Sequence, residues 1–289
     1  MNYTYNLEEM INLLDDDKDK KLVSYKDGII NLVNKSNDSM DEFLGKHEDG
    51  DYFNEPLSLL SPLLITGCTG TGKTNLINNF ITTLIMRYSP SDLKLVLIDI
   101  KQVELHMFDS LPHLYCPRIT DSEKAIEVLD ELILEKNRRL DLLKNANLDS
   151  LYQYNQDSKN KKLPKIAIFI DEYIDIMASR SEFKDKIISL ISDAFKVGIY
   201  LVMSTQNPNK KSLPDDLLKH FINRASFKLS SKKEFERIML FREMDELKNK
   251  GDMYIFISAY NLPFHHIQTP YISYDEIDKI VKYIKKESN

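Results

Sequence analysis

The sequence predicts an α/β fold in which a mainly parallel sheet is flanked by helices. Three observations predict it. Apolar runs suited to buried strands alternate with amphipathic stretches from Leu57 onward. These runs end on polar groups, Asp99, Asp171 and Ser204-Thr205-Gln206. Between the first run, Leu63-Leu64-Ile65, and the first helical pattern stands the loop Gly67-Cys68-Thr69-Gly70-Thr71-Gly72-Lys73-Thr74. In open sheets of this kind ligands gather beyond the carboxyl ends of the strands, so these positions are expected to share one neighbourhood.

Taken in order, residues Met1 to about Lys46 are weakly patterned. Leu7 to Leu14 suits a short helix, and the mixed-sign run Asp15 to Lys21 suits a solvated loop. Gly28 and the Asn/Ser cluster from Asn34 to Ser39 are breakers, so 1–45 is read as a short N-terminal segment and 46–289 as one domain. Apolar residues at Leu76, Ile77, Phe80, Ile81, Leu84 and Ile85 have helical spacing, as do Ile126, Leu129, Ile133, Leu140 and Leu143 within Glu123 to Leu143. Leu93 to Ile98 and the continuous apolar run Lys165 to Ile170 suit buried parallel strands. The polar stretch Asn145 to Pro164 between them is expected on the surface. A helix follows around Phe183 to Val197, then strands at Ile199 to Met203, Ala225 to Leu229 and Met253 to Ile257. Ser273-Tyr274-Asp275-Glu276 has the pattern of a capping box. It opens a helix with Ile277, Ile280, Val281 and Ile284 on one face.

Composition narrows the function classes. The chain has 289 residues, 42% apolar and 29% charged, which suits a soluble protein with a sizeable core. Its net charge of −6 excludes a surface coated in basic groups, so any nucleic acid must meet a local basic patch or a pore built by several subunits. The two cysteines, Cys68 and Cys116, give no disulfide framework, and Cys68 inside the glycine-rich loop suits a reducing, cytoplasmic setting. The N-terminus lacks a signal-peptide pattern, and no run nears the roughly 18 apolar residues of a membrane span.

The glycine-rich loop matches G-x-x-x-x-G-K-[ST] in its strand–loop–helix context. Its glycines let backbone N–H groups fold around phosphate oxygens, and the following helix directs its positive end at the same anion. Gly67, Cys68, Thr69, Gly70, Thr71, Gly72, Lys73, Thr74 and Asn75 are therefore candidate nucleotide-binding residues. Lys73 has the reach for the outer phosphates of ATP, and the Thr74 hydroxyl suits Mg²⁺. The run ending in Asp171-Glu172 supplies an Asp to hold Mg²⁺ and a Glu to polarise the attacking water. Gln206 closes a third strand, where an amide senses the γ-phosphate or caps the strand end. His265-His266 has no partner cluster in the sequence and is read as structural.

These motifs resemble those of the FtsK/SpoIIIE-type DNA translocases of the FtsK–HerA group. The resemblance rests on the loop region, on Leu97-Ile98-Asp99-Ile100-Lys101-Gln102-Val103-Glu104-Leu105 with Leu111-Pro112-His113-Leu114 and Ile119-Thr120-Asp121, and on the helix Glu135 to Leu140. Asp171-Glu172, Gly198 to Gln206, Asn223 to Ser231 and Lys250 to Met253 continue it in order, from about Leu44 to the end. Ile100 stands where the family usually has proline, and Asn207 where it usually has arginine. The resemblance implies a RecA-like ATPase motor working as a hexameric ring around double-stranded DNA, with ATP between subunits. Lys73, Asp171, Glu172, Gln206 and Arg224 would be the catalytic residues. Arg224 would act in trans on a neighbour's γ-phosphate. Arg237, Arg242, Lys248 and Lys250 would meet DNA phosphates without reading sequence.

Without membrane segments or an orienting winged-helix domain, the sequence suggests a stripped motor of a plasmid, conjugative element or phage. A recruiting protein or relaxase would place it in the cytoplasm or bring it to the membrane. The alternative is a secretion or coupling ATPase that moves or docks a protein substrate.

Overall fold

The computed structural model describes residues 5–16, 23–35, 40–157, 160–241, 246–247 and 250–288. Most of the expected loop Asp15–Lys21, residues 36–39 of the Asn/Ser cluster, and Arg242 and Lys248 lie outside the described residues. In chain order the strands are β1 (Val23–Ser24), β2 (Asp41–Lys46), β3 (Tyr52–Pro56), β4 (Leu63–Thr66), β5 (Leu93–Asp99), β6 (Lys165–Asp171), β7 (Ile199–Thr205), β8 (Asn223–Phe227), β9 (Asp252–Phe256), β10 (Phe264–Gln268) and β11 (Pro270–Tyr271). The helices are α1 (Leu7–Leu13), α2 (Tyr25–Lys35), α3 (Leu57–Leu60), α4 (Lys73–Arg87), α5 (Ser122–Ala146), α6 (Leu151–Gln156), α7 (Ile174–Ser179), α8 (Phe183–Ile191), α9 (Asp215–Leu218), α10 (Lys232–Met239) and α11 (Tyr274–Glu287).

Among the described residues, one nine-stranded sheet runs β3-β2-β10-β9-β8-β4-β7-β6-β5. The five strands β5, β6, β7, β4 and β8 are mutually parallel. Antiparallel β9, β10, β2 and β3 extend one edge. In register, Asp99 lies opposite Asp171, and Thr66 lies opposite both Thr205 and Ser226. The carboxyl ends of the parallel strands therefore share one rim.

Strand pleating divides the apolar residues between two cores, because successive side chains point to opposite faces. Leu63, Ile65, Leu95, Leu97, Ala167 and Phe169 join the core with α4, α1, α2 and α11. Leu64, Val96, Ile98, Ile166, Ile168 and Ile170 join the core with α5, α7 and α8. Helix α4 buries Leu76, Ile77, Phe80, Ile81, Leu84 and Ile85, each stabilising the fold by about 1.5–3 kcal/mol. It also buries Asn78, Asn79, Thr82 and Thr83, because β2, β11, α11 and α1 pack around it.

Helix ends follow the local chemistry. Asp121 caps α5 by accepting from Glu123 N and Lys124 N, and the helix stops at left-handed Asn147. Ser273 and Glu276 form the expected capping box of α11. The helix expected over Phe183–Val197 instead breaks after Ile191, where Asp193 turns left-handed before a 3₁₀ turn at Ala194–Val197. The strand expected at Ala225–Leu229 begins two residues earlier, at Asn223. The excursion 145–164 contains α6, docked through buried Leu151. The N-terminal residues are not a loose arm: Leu7, Met10, Tyr25, Ile29 and Phe43 enter the same core as α4.

Candidate functional site

The phosphate loop joins β4 to α4 at the shared rim. Cys68 N donates to Lys228 O at 2.8 Å, Gly251 N donates to Thr71 O at 2.8 Å, and Thr71 Oγ1 donates to Cys68 O at 2.7 Å. Gly72 has φ +130°, a conformation open to glycine. A Cβ there would lie 2.8 Å from the Phe227 ring and 3.2 Å from the Gly251 backbone. Lys73 Nζ donates to Gly67 O at 2.6 Å and to Cys68 O at 3.0 Å. Burial lowers its pKa, opposed by Glu172 and Asp171 nearby. Asn75 gives its side chain to the protein: Nδ2 donates to Pro270 O at 2.5 Å, and Oδ1 accepts from Ile272 N. Its side chain is thus committed within the fold, and its backbone N–H lies in the first turn of α4.

The two strand-end acids are held in different ways. Asp171 Oδ1 accepts from Ser204 Oγ at 2.6 Å. Burial raises its pKa, and Asp99 on the adjacent strand adds to the effect. Glu172 has φ +47°, a left-handed backbone uncommon for a non-glycine residue and often found where function sets the geometry. Its Oε1 accepts from Thr205 Oγ1 at 2.9 Å, its Oε2 from Gln206 N at 2.9 Å, and its N donates to Ser204 Oγ. Burial raises its pKa, with these two hydrogen bonds opposing. Gln206 Oε1 accepts from Thr69 Oγ1 at 2.7 Å, which ties the end of β7 to the phosphate loop. Lys73, Asp171, Glu172 and Gln206 are thus brought together.

A cleft of about 580 Å³ opens beside them, lined by Thr69, Gly70 and Gly72 to Asn75 of the loop, Glu104, Gln206 and the segment Gln268 to Ile272. Its volume suits a nucleotide-sized ligand. Tyr271 and Tyr274 border it with exposed rings. Glu104, within the motif read around Asp99 but not picked out for a role, is a site residue that the sequence reading missed. Asp99 Oδ2 accepts from Glu104 N at 3.0 Å and Leu105 N at 3.1 Å, folding the chain back after β5. The Glu104 carboxylate then accepts from the Thr74 hydroxyl and, at 3.4 Å, from Tyr274 OH. Burial raises its pKa, followed by the charges of Asp171 and Asp99. Its signal was the Asp99–Glu104 spacing, which carries meaning only once the turn is seen.

The site's chemistry fits Mg²⁺. Thr74, Asp171 and Glu104 offer oxygen donors, and Asp99 Oδ1 is buried without a hydrogen-bond partner. Like-charge proximity among these carboxylates is relieved by a cation, and oxygen donors suit a hard one. Among the described residues no group of three His, Cys, Asp or Glu forms a full metal cage.

Three further residues are expected at the chemistry or on DNA. Arg224 lies near the start of β8, away from the rim, and is 7% exposed. Its guanidinium donates to Phe221 O at 2.8 Å, Ile238 O at 2.7 Å and Leu218 O at 3.2 Å. Burial and neighbouring Arg237 lower its pKa to about 10. In the single chain, three of the five guanidinium N–H groups thus hold carbonyls of the same chain. Arg237 likewise faces inward, donating to Asp215 Oδ1 at 2.7 Å, to Pro208 O at 2.7 Å and to Leu213 O. It clamps the loop after Gln206. Lys250 borders the nucleotide cleft. His266 Nε2 pairs with Asp252 Oδ1 at 2.6 Å, and the His265 ring packs on Phe53 and Tyr260, as structural residues do.

Comparison with known proteins matches this arrangement. The chain is 34% identical over 249 residues to the DNA translocase FtsK of Clostridium tetani, covering 84% of this chain and 33% of that protein. It thus spans about a third of the length of the curated relatives it matches. Among solved structures, EssC (ATPases 2 and 3) from Geobacillus thermodenitrificans superposes with a TM-score of 0.74 at 16% identity, covering 88% of this chain and 49% of that one. The pCW3 conjugation coupling protein TcpA, in its monomer form with ATPγS, gives a TM-score of 0.72 at 19% identity over 92% of this chain and 75% of its own. These likenesses establish the P-loop ATPase fold. The FtsK/SpoIIIE family model matches residues 37–239, a span that includes the phosphate loop, Asp171-Glu172 and Gln206, and the chain belongs to the FtsK/SpoIIIE family.

Proposed function

We propose that the chain hydrolyses ATP and uses the energy to bind and move double-stranded DNA. Residues 46–289 would form the motor and 1–45 a short N-terminal segment. The observation that carries the reading is Glu172: a strained backbone and two hydrogen bonds aim one carboxylate at the rim that Lys73, Asp171 and Gln206 share. Phosphoryl transfer to water depends mainly on positioning and charge stabilisation. The loop N–H groups and Lys73 bind and orient the phosphates. Glu172 accepts the water proton, and Gln206, tied to Thr69, reports phosphate occupancy to the Asn207–Asp216 loop. Thr74, Asp171 and Glu104 would hold Mg²⁺, which neutralises developing phosphate charge when bound.

Arg237 fixes the base of the 207–216 loop, whose Lys210 and Lys211 are exposed. This loop is the surface we assign to DNA phosphates. With a net charge of −6, binding is expected of a homo-oligomeric ring, hexameric as in the family resemblance, in which several such loops line a pore. Among the described residues no helix is long and apolar enough to cross a membrane. A cytoplasmic setting with a recruiting protein or relaxase, on a plasmid, conjugative element or phage, completes the reading. Relatives named DNA translocase favour DNA over a protein substrate, whereas the likeness to EssC and TcpA concerns fold alone.

The test is ATP hydrolysis with and without linear double-stranded DNA at two salt concentrations. Stimulation that weakens with salt and disappears in Glu172→Gln is expected. Good turnover that ignores DNA would refute the motor reading, and normal turnover by Glu172→Gln would refute the base assignment.

A further inference from the structure

We propose that the part of the cleft beyond the phosphate loop is a purine subsite, where the rings of Tyr271 and Tyr274 take adenine and guanine alike. The inference deepens the ATPase reading above and rests on it.

The cleft continues from the loop along α4. Thr74, Asn75 and Asn78 line it on the helix side, together with the segment Gln268 to Ile272 and Tyr274. Asn78 stands about one helical turn beyond Thr74. A nucleotide whose phosphates occupy the loop therefore has its base within reach of this wall. Tyr271 is 56% exposed and Tyr274 is 57% exposed. Among the described residues neither ring contacts another aromatic ring or sits under a cation. Open ring faces are what a heterocyclic base stacks on, and the larger purine ring system covers more of them.

The rings are placed before a ligand arrives, which lowers the ordering cost of binding. Asn75 and Asn79 both donate to Pro270 O, the latter at 2.9 Å, and Thr269 N donates to Gly251 O at 2.8 Å. Strand β1 pairs with β11 and sets Ser24 opposite Tyr271. Pro270 and Ile272 are buried, so the alternation of the extended chain turns the Tyr271 ring outward. Tyr274 opens α11 directly after its capping residue Ser273, and its hydroxyl donates to Glu104 at 3.4 Å. Glu104 in turn accepts from the Thr74 hydroxyl, which ties the base wall to the phosphate end of the cleft.

A second observation points to a ligand. Asn78 is 2% exposed and lines the cleft, yet its Oδ1 is buried without a hydrogen-bond partner. Such orphaned amide oxygens are rare in folded proteins. The other amides of the wall are committed: Asn75 to Pro270 O and Ile272 N, and Gln268 Nε2 to Lys250 O at 2.8 Å. Asn78 can turn over without losing a bond from Oδ1. It then offers an acceptor to the 6-amino group of adenine or a donor to the 6-oxo group of guanine. Two stacking faces and one reversible amide favour purines over pyrimidines without separating the two purines.

The test is isothermal titration calorimetry of the full chain with Mg²⁺. The ligands are the β,γ-imido analogues of ATP, GTP and CTP, and inorganic tripolyphosphate. The ATP and GTP analogues should bind within about threefold of each other, and the CTP analogue at least about tenfold more weakly. Tyr271→Ser and Tyr274→Ser should each weaken the ATP analogue about tenfold while tripolyphosphate affinity and the urea midpoint stay unchanged. Tyr271→Phe and Tyr274→Phe keep the rings and should bind the ATP analogue as the parent does. The inference is overturned if the CTP analogue binds as well as the purine analogues, or if the GTP analogue is rejected as strongly as the CTP analogue is expected to be. It is equally overturned if either Ser variant binds the ATP analogue like the parent, or loses tripolyphosphate in the same proportion. A parent chain that binds neither tripolyphosphate nor any analogue would sink the phosphate-loop reading itself, and this inference with it.

Discussion

Replacing Arg224 by alanine separates a structural from a catalytic arginine. The guanidinium donates three hydrogen bonds, to Phe221 O, Ile238 O and Leu218 O, and joins the end of α10 to the segment between α9 and β8. Hydrogen bonds from charged donors contribute about 1.5–3 kcal/mol each, and a buried carbonyl left without a partner costs about 1–3 kcal/mol. Part of that loss is offset because the cost of burying the charge disappears and water can enter the space. A net destabilisation of about 3 kcal/mol is expected, a large share of a typical stability of about 5–15 kcal/mol. With a urea slope of about 3 kcal/mol/M for a chain of this size, the midpoint should fall by about 1 M. Arg224→Lys should recover part of the loss, since one ammonium cannot span three carbonyls. The assay is equilibrium urea unfolding alongside ATP hydrolysis in mixed assemblies. An alanine variant with an unchanged midpoint and no turnover, whose partner subunits regain activity on mixing, would refute the argument and restore the trans role.

The other predictions concern the site and its support. Glu104→Gln should raise the Mg²⁺ concentration needed for half-maximal ATP hydrolysis several-fold while ATP binding persists; an unchanged Mg²⁺ requirement would remove Glu104 from the site. Gly72→Ala forces a side chain into φ +130° and against Phe227 and Gly251, so affinity for a fluorescent ATP analogue should drop at least tenfold. Wild-type affinity in that variant would show that the loop rearranges on binding. Glu42 is fully buried, neither of its oxygens has a hydrogen-bond partner, and burial raises its pKa well above the ordinary carboxylate value. A carboxyl raised in the folded state contributes stability at low pH and loses it as pH rises above the unfolded pKa, by up to about 1.4 kcal/mol per pH unit. Glu42→Gln should therefore flatten the pH dependence of stability and gain most at neutral pH; parallel urea-midpoint curves for the two proteins would contradict this. The raised pKa of Glu172 should also place the acid limb of ATP hydrolysis above the range of a surface glutamate, and Glu172→Asp should move that limb.

Local chemistry made much of the site legible. A phosphate loop needs glycines, lysine and threonine at fixed spacing because its ligand is held by consecutive backbone groups. Gly67 to Thr74 therefore announced itself, and the strand ending at Asp171-Glu172 was visible as an unbroken apolar run. The capping box at Ser273 and the helix α5 were equally readable, since caps and a 3.6-residue period are local properties. The N-terminal strands were not. Asp41-Glu42-Phe43-Leu44-Gly45-Lys46 alternates poorly and becomes a strand because β10 and β3 pair with it.

The sequence by itself determined the α/β class, the nucleotide loop and the order of its acids, because each depends on neighbours a few residues apart. Only the tertiary structure decided which charged side chains face the chemistry. Arg224 and Arg237 look alike in the sequence to arginines poised for phosphate. Burial beside unpaired carbonyls and Asp215 turned both inward, since a guanidinium lowers its free energy most where several acceptors converge. Glu104 moved the other way, from a motif residue with no assigned role to a partner of Thr74, because the Asp99 carboxylate folds the chain back across the rim.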